Sequence, residues 1–202
     1  MRSIVLTATF SAILMSSASA QSTWKEYTYP DNHFSVSFPA EPTISTMPYM
    51  APDGTRVTET LYSARHDSSL YRMTVVDFSN TRIDITTAIG QAVSALREKG
   101  DVKFDMPSRQ NGTCGRYLNI KGHDGSTSVV SLFFRDNRLY EAQGTVLASN
   151  PDSGSGEMIL FTQGFGFDVT LPFRGQCFEA DPDSLRNNYA PDFDALPTVR
   201  KQ

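Results

Sequence analysis

The chain has 202 residues, with 18 Lys and Arg against 22 Asp and Glu, and a formal net charge of −4. Such mild acidity offers no basic footprint for nucleic acid or for an anionic membrane surface. The length suits one domain with a core of its own, independent of dense disulfides or a structural metal.

The first twenty residues have the pattern of a cleavable export signal. Arg2 supplies the positive charge, Ile4 to Met15 is an apolar run, and Ser16-Ser17-Ala18-Ser19-Ala20 follows. Ala18 and Ala20 are the small residues a signal peptidase accepts at −3 and −1, so cleavage is expected between Ala20 and Gln21. A spanning helix needs about 20 apolar residues. This run is shorter and is diluted by Thr7, Thr9 and Ser11, so no membrane anchor is expected. The first cysteine is Cys114, which leaves no site for lipidation at a mature N-terminus. The short, lightly charged start points to a bacterial periplasm or the medium.

Residues 21–175 then read as one α+β domain. Trp24 to Tyr29 alternates, Pro30-Asp31-Asn32 is a turn, and His33 to Phe38 places Phe34, Val36 and Phe38 on one face. Pro42 to Met47 has the composition of a short strand. After the Pro52-Asp53-Gly54 turn, Thr55–His66 and Leu70–Phe78 form a hairpin. The period then changes. Asp84 can cap a helix whose Ile85, Ala88, Ile89, Ala92, Val93 and Leu96 make one stripe, with Arg97 and Lys99 at its C-terminal dipole and Gly100 as its stop.

Strands resume with a short Val102–Met106, then Cys114–Lys121 and Ser126–Arg135 around the turn at 122–125. Asp136-Asn137 turns the chain into Arg138–Leu147, with Val130, Leu132 and Phe134 facing inward. A Ser/Gly loop over 150–156 leads to a second helix over 157–167, with Met158, Phe161 and Phe165 toward the sheet; Gly164 and Gly166 weaken its end. Residues 176–202 are proline-containing, acidic and aperiodic, the pattern of an extended tail.

Two cysteines in an exported protein suggest one disulfide, Cys114–Cys177. Its closure would contribute about 4 kcal/mol on a chain-entropy model. Two free thiols, or a catalytic thiol paired with a histidine, are the alternatives. Other chemistry is hard to find. Gly154-Ser155-Gly156 is too short for a nucleophile elbow. His33, His66 and His123 are scattered, and His123-Asp124 between glycines reads as a turn before a metal pair. Asp181, Asp183, Asp192 and Asp194 alternate without the glycine and closing Glu of a calcium loop. Ser153 to Gly156 has no lysine to cradle phosphate, and Asn111-Gly112-Thr113 matters as a sequon only in a eukaryotic route. Trp24, Tyr27 and Tyr29 fit core or edge packing better than a binding rim. No catalytic residue, metal site or cofactor is therefore expected.

The segment from Phe34-Ser-Val-Ser-Phe38 through Pro39-Ala-Glu-Pro42, the turn-to-strand Asn137-Arg138-Leu139-Tyr140, and a closing Phe-bearing helix together resemble the PsbP-like superfamily. The resemblance covers roughly Tyr27 to Phe167 and implies an antiparallel sheet flanked by helices, an α/β/α sandwich. It carries no transferable active site. The family has no counterpart for 176–202, and its bacterial members are often lipoproteins.

The expectation is a non-enzymatic binding or accessory domain that contacts another envelope protein through a sheet face, an edge or the acidic tail. A small-molecule or lipid carrier, with a pocket between the sheet and the 85–96 helix, is the first alternative. An uncharacterised hydrolase is the second.

Overall fold

A computed structural model describes residues 24–149 and 155–168. The proposed signal with Ala20 and Gln21, the loop at 150–154, Cys177 and the 176–202 tail lie outside the described residues.

The chain begins with β1 (Lys25–Tyr29), a short 3-10 turn at Pro30–Asn32, and β2 (Phe34–Phe38), which pairs antiparallel with β1. Next come β3 (Thr43–Met50), β4 (Arg56–His66) and β5 (Ser69–Asp77), then helix α1 (Ile85–Lys99). Four strands follow: β6 (Gly100–Gln110), β7 (Thr113–Gly122), β8 (Thr127–Arg135) and β9 (Arg138–Val146). Helix α2 (Ser155–Gln163) and the two-residue β10 (Gly166–Phe167) close the described chain.

Strands β3 to β9 form one antiparallel seven-stranded sheet in the order β3-β4-β5-β9-β8-β7-β6, and β1, β2 and β10 form a small second sheet. The small sheet and α2 pack on one face of the large one through Phe38, Tyr71, Met73, Phe133, Tyr140, Phe161 and Phe165. Helix α1 packs on the other face, over Val76, Leu118, Ile120, Val130, Leu132 and Leu139. The architecture is the expected α+β sandwich with a helix on each side, and the small sheet joins the α2 layer.

Local chemistry explains the turns and the first helix. Asp84 accepts a hydrogen bond from the Thr87 N–H at 2.9 Å, a cap of the kind that contributes about 1 kcal/mol. Asn111-Gly112 and Asp136-Asn137 are two-residue hairpin turns with φ of 49° and 79°, and 50° and 55°. Positive φ at both positions matches the twist of the flanking strands, and Asn, Asp and Gly tolerate it best.

Three expectations are corrected. Gly100 is not a left-handed helix stop; at φ 174° it is the extended first residue of β6. Glycine is needed there because a Cβ would run into the Lys121 carbonyl oxygen and lie 2.8 Å from Gly122 Cα. Strand β6 runs over 11 residues rather than five. It is an edge strand, so backbone pairing with β7 carries its polar residues, and Pro107 is tolerated. The second helix stops at Gln163, and Gly166-Phe167 instead pairs with Ser35 and Phe34 as β10. On β8 the expected inward face holds, with Phe134 packed beside it, and the opposite face is buried as well. Val130 and Leu132 lie under α1, and Val129 and Phe133 point to the α2 side.

Candidate functional site

The residues singled out in sequence do not converge. Cys114 lies on β7 opposite Arg109 of β6. His33 ends the 3-10 turn at φ 55°, His66 closes β4 beside Asp67 at 3.9 Å, and His123 sits in the β7–β8 turn. Among the described residues, no three His, Cys, Asp or Glu side chains gather where they could hold a metal ion. The N-terminal aromatics are packing groups. Trp24 meets Tyr71 edge-on at 5.0 Å, and the Tyr29 ring lies tilted against Tyr62 with centroids 4.2 Å apart.

Two other regions stand out, and they adjoin. The first is a cavity where α1 meets the β3–β4–β5–β9 half of the sheet. Its volume is about 170 Å³, and its walls include Tyr49, Glu59, Arg72, Lys99, Glu141 and Gln143. The register explains how these side chains meet. On the α1 face of β5, Arg72, Thr74 and Val76 follow one another. Glu59 of β4 pairs with Val76, whereas Glu141 and Gln143 of β9 pair with Thr74 and Arg72. The two glutamates therefore flank β5 diagonally, with the short Thr74 between them and Ala92 and Ala95 of α1 completing the wall. Small side chains below and above leave the space open.

Burial raises the pKa of the Glu59 carboxyl, against the opposing pull of Lys99. Burial also raises that of Glu141; Lys99 and Arg72 lower it, and the charge of Glu59 raises it further. Tyr49 is raised by burial and then by the two glutamates. A carboxyl with a folded pKa above its unfolded value binds more protons when folded. Stability then falls as pH rises from the ordinary glutamate range through the raised value. The isosteric, neutral Glu141→Gln is therefore expected to melt a few degrees above wild type at about pH 8 and level with it at about pH 4. Thermal melts by circular dichroism across that range check this. Equal melting temperatures at both ends would mean that Lys99 and Arg72 fully compensate the charge.

The second region is β3, an edge strand of the large sheet with no partner on its outer side among the described residues. Seven of its eight residues are exposed. Ile44 and Met50 are each 53% exposed and Met47 is 43% exposed. Met47 pairs with Glu59, and Tyr49 reaches the cavity wall, so the edge and the cavity share one end of the sheet. Unpaired edge backbone with apolar side chains is a template for another strand.

The carrier alternative placed a pocket between the sheet and the 85–96 helix, where this cavity lies, but the sequence did not point to the charged residues that line it. Glu59 stands between Thr58 and Thr60 and Glu141 between Tyr140 and Ala142, both of which read as solvent-facing strand positions, and only the placement of α1 covers them.

No protein-family model matches the chain, and no curated protein matches it. Among solved structures, the fold is similar to the solution structure of cyanobacterial PsbP (CyanoP) from Synechocystis sp. PCC 6803. The TM-score is 0.51 at 8% sequence identity, with 74% of this chain and 95% of that one covered. The chain thus has a PsbP-like fold, and at this identity the likeness concerns the fold alone. No helix among the described residues is long and apolar enough to cross a membrane.

Proposed function

We propose that this chain is an exported, non-enzymatic accessory domain that binds another envelope protein along β3. The observation that carries the reading is the exposed edge itself, where Ile44, Met47 and Met50 lie beside unpaired backbone at the end of a seven-stranded sheet. A partner strand added there gains main-chain hydrogen bonds from the edge and specificity from alternate side chains. Pro48 removes one N–H from the strand, which favours pairing along Thr43–Met47.

A photo-crosslinking residue at Met47 is expected to capture a discrete envelope protein that the same residue at exposed Glu98 does not. The double variant Ile44→Lys, Met47→Lys should reduce recovery about tenfold or more. Identical capture at both positions, or none above background, overturns the reading.

Export is supported by the pattern of residues 1–20, and it is the ground for expecting a Cys114–Cys177 bridge. The described residues include no free cysteine, which fits that bridge. Thiol labelling of the denatured, non-reduced protein should find no free thiol, and two labelled cysteines would refute it. A second reading, a carrier of a small ligand, is favoured specifically by the cavity between α1 and the sheet.

A further inference from the structure

The cavity differs from every other charged cluster described in this protein in how its charges are arranged. Elsewhere they pair directly. Arg116 and Arg97 both reach Asp105, at 2.6 and 3.2 Å, Arg138 reaches Asp77 at 3.3 Å, and Arg135 reaches Asp136 at 3.1 Å. The open dent beside β6, lined by Arg97, Asp101, Lys103 and Asp105, is already satisfied in this way. The apolar notch at Trp24, Leu160 and Phe161 holds no polar side chain except Ser37.

Glu59, Arg72, Lys99 and Glu141 also carry two charges of each sign around one space. Yet none of the four forms an ion pair within 4.0 Å or a side-chain hydrogen bond among the described residues. The Arg72 Nε is buried without a partner; so is the Arg138 Nε, but the Arg138 guanidinium also meets Asp77, whereas that of Arg72 meets no carboxylate among the described residues. Glu59, Arg72 and Glu141 are half-buried and Lys99 is exposed, and a buried donor such as the Arg72 Nε costs free energy until a partner matches it.

We infer that the cavity between α1 and β4, β5 and β9 is a binding site for a small zwitterion of the amino-acid type. Its ammonium group lies between Glu59 and Glu141, and its carboxylate faces Arg72 and Lys99. Satisfying each group selects this class. A simple cation would leave the Arg72 Nε unmatched, and a simple anion would leave both carboxylates so. The volume sets the size. A cavity of about 150 Å³ accepts a benzene-sized guest, so the space of about 170 Å³ takes a molecule with roughly six to eight non-hydrogen atoms. Gln143 donates its side-chain amide to Ser128 Oγ at 3.1 Å, which fixes its orientation in the wall. The inference rests on the carrier reading and is independent of docking at β3.

The test titrates the folded, full mature chain with L-alanine, n-propylammonium and propionate, followed by backbone amide chemical shifts. L-alanine should give saturable shifts centred on Glu59, Arg72 and Glu141, with each singly charged probe at least about tenfold weaker. Glu141→Gln and Arg72→Met should each lose tenfold or more in affinity. Thr74→Ile, which fills the cavity while keeping all four charges, should abolish the shifts with an unchanged circular dichroism spectrum. No saturable shift with L-alanine overturns the proposal, and so does a singly charged probe that binds as tightly. If native mass spectrometry of gently extracted protein then finds a different bound small molecule, the zwitterion assignment falls while the carrier reading stands. If it finds none, both fall.

Discussion

Replacing Phe161 by alanine is expected to cost about 3–5 kcal/mol, the range for deleting a buried aromatic ring. At this chain length, that lowers the melting temperature by roughly 6–20 °C. Phe161 is where the α2 layer is joined. Its ring lies 5.2 Å from Phe38 of the small sheet, 5.3 Å from Tyr71 of the large sheet and 6.3 Å from Trp24. All three partners lie far from Phe161 in sequence, so the contact ties together segments distant in the chain. Urea unfolding followed by tryptophan fluorescence measures the loss directly, because Trp24 is the only tryptophan and packs against the same ring. A loss below about 1 kcal/mol would show that the aromatic cluster closes around the gap and that the ring does not anchor the layer.

Gly144→Val should also be damaging, less so and for the opposite reason. At Gly144 a Cβ would lie 2.8–2.9 Å from the Cβ, Cα and Cγ of Met158, so α2 rests directly on the β9 backbone. The Met158 side chain can rotate away, but its Cα belongs to the helix. Adding a branched side chain therefore has to lift α2 off the sheet, and overpacking of this kind costs about 1–3 kcal/mol. The expected signature is local as well as global. Amides of α2 should exchange faster with solvent, while those of β7 and β8 keep their protection. The hydrogen bond from the Tyr71 hydroxyl to Glu157, 2.8 Å in the wild type, should be lost with them. Uniform loss of protection across the sheet would refute a role confined to helix docking.

Much of this fold is legible in the residue order because local chemistry reports it. The alternation of Phe34, Val36 and Phe38, the Asp84 cap and the helical stripe of α1 each depend on neighbours within a few positions. The turn at 136–137 is equally local, since residues able to hold positive φ stand where the chain reverses. The resemblance to PsbP-like proteins rests on the Phe34–Pro42 segment, the Asn137–Tyr140 turn and strand and the closing Phe-bearing helix, and the fold agrees with it.

The remaining features depend on what packs against what. The length of β6 is supported by its pairing with β7, which no property of Lys103, Asp105 or Ser108 announces. The Gly166-Phe167 pair became a strand because β2 offered it an edge. Glu141, between Tyr140 and Ala142, reads in sequence as a solvated position, because alternation says which side chains differ in facing and not what covers either face. Composition, turns, the first helix and the α+β class were thus determined by the sequence alone. The tertiary structure alone decided that α1 would lie over Glu59 and Glu141, and so turned two ordinary strand glutamates into the walls of a cavity.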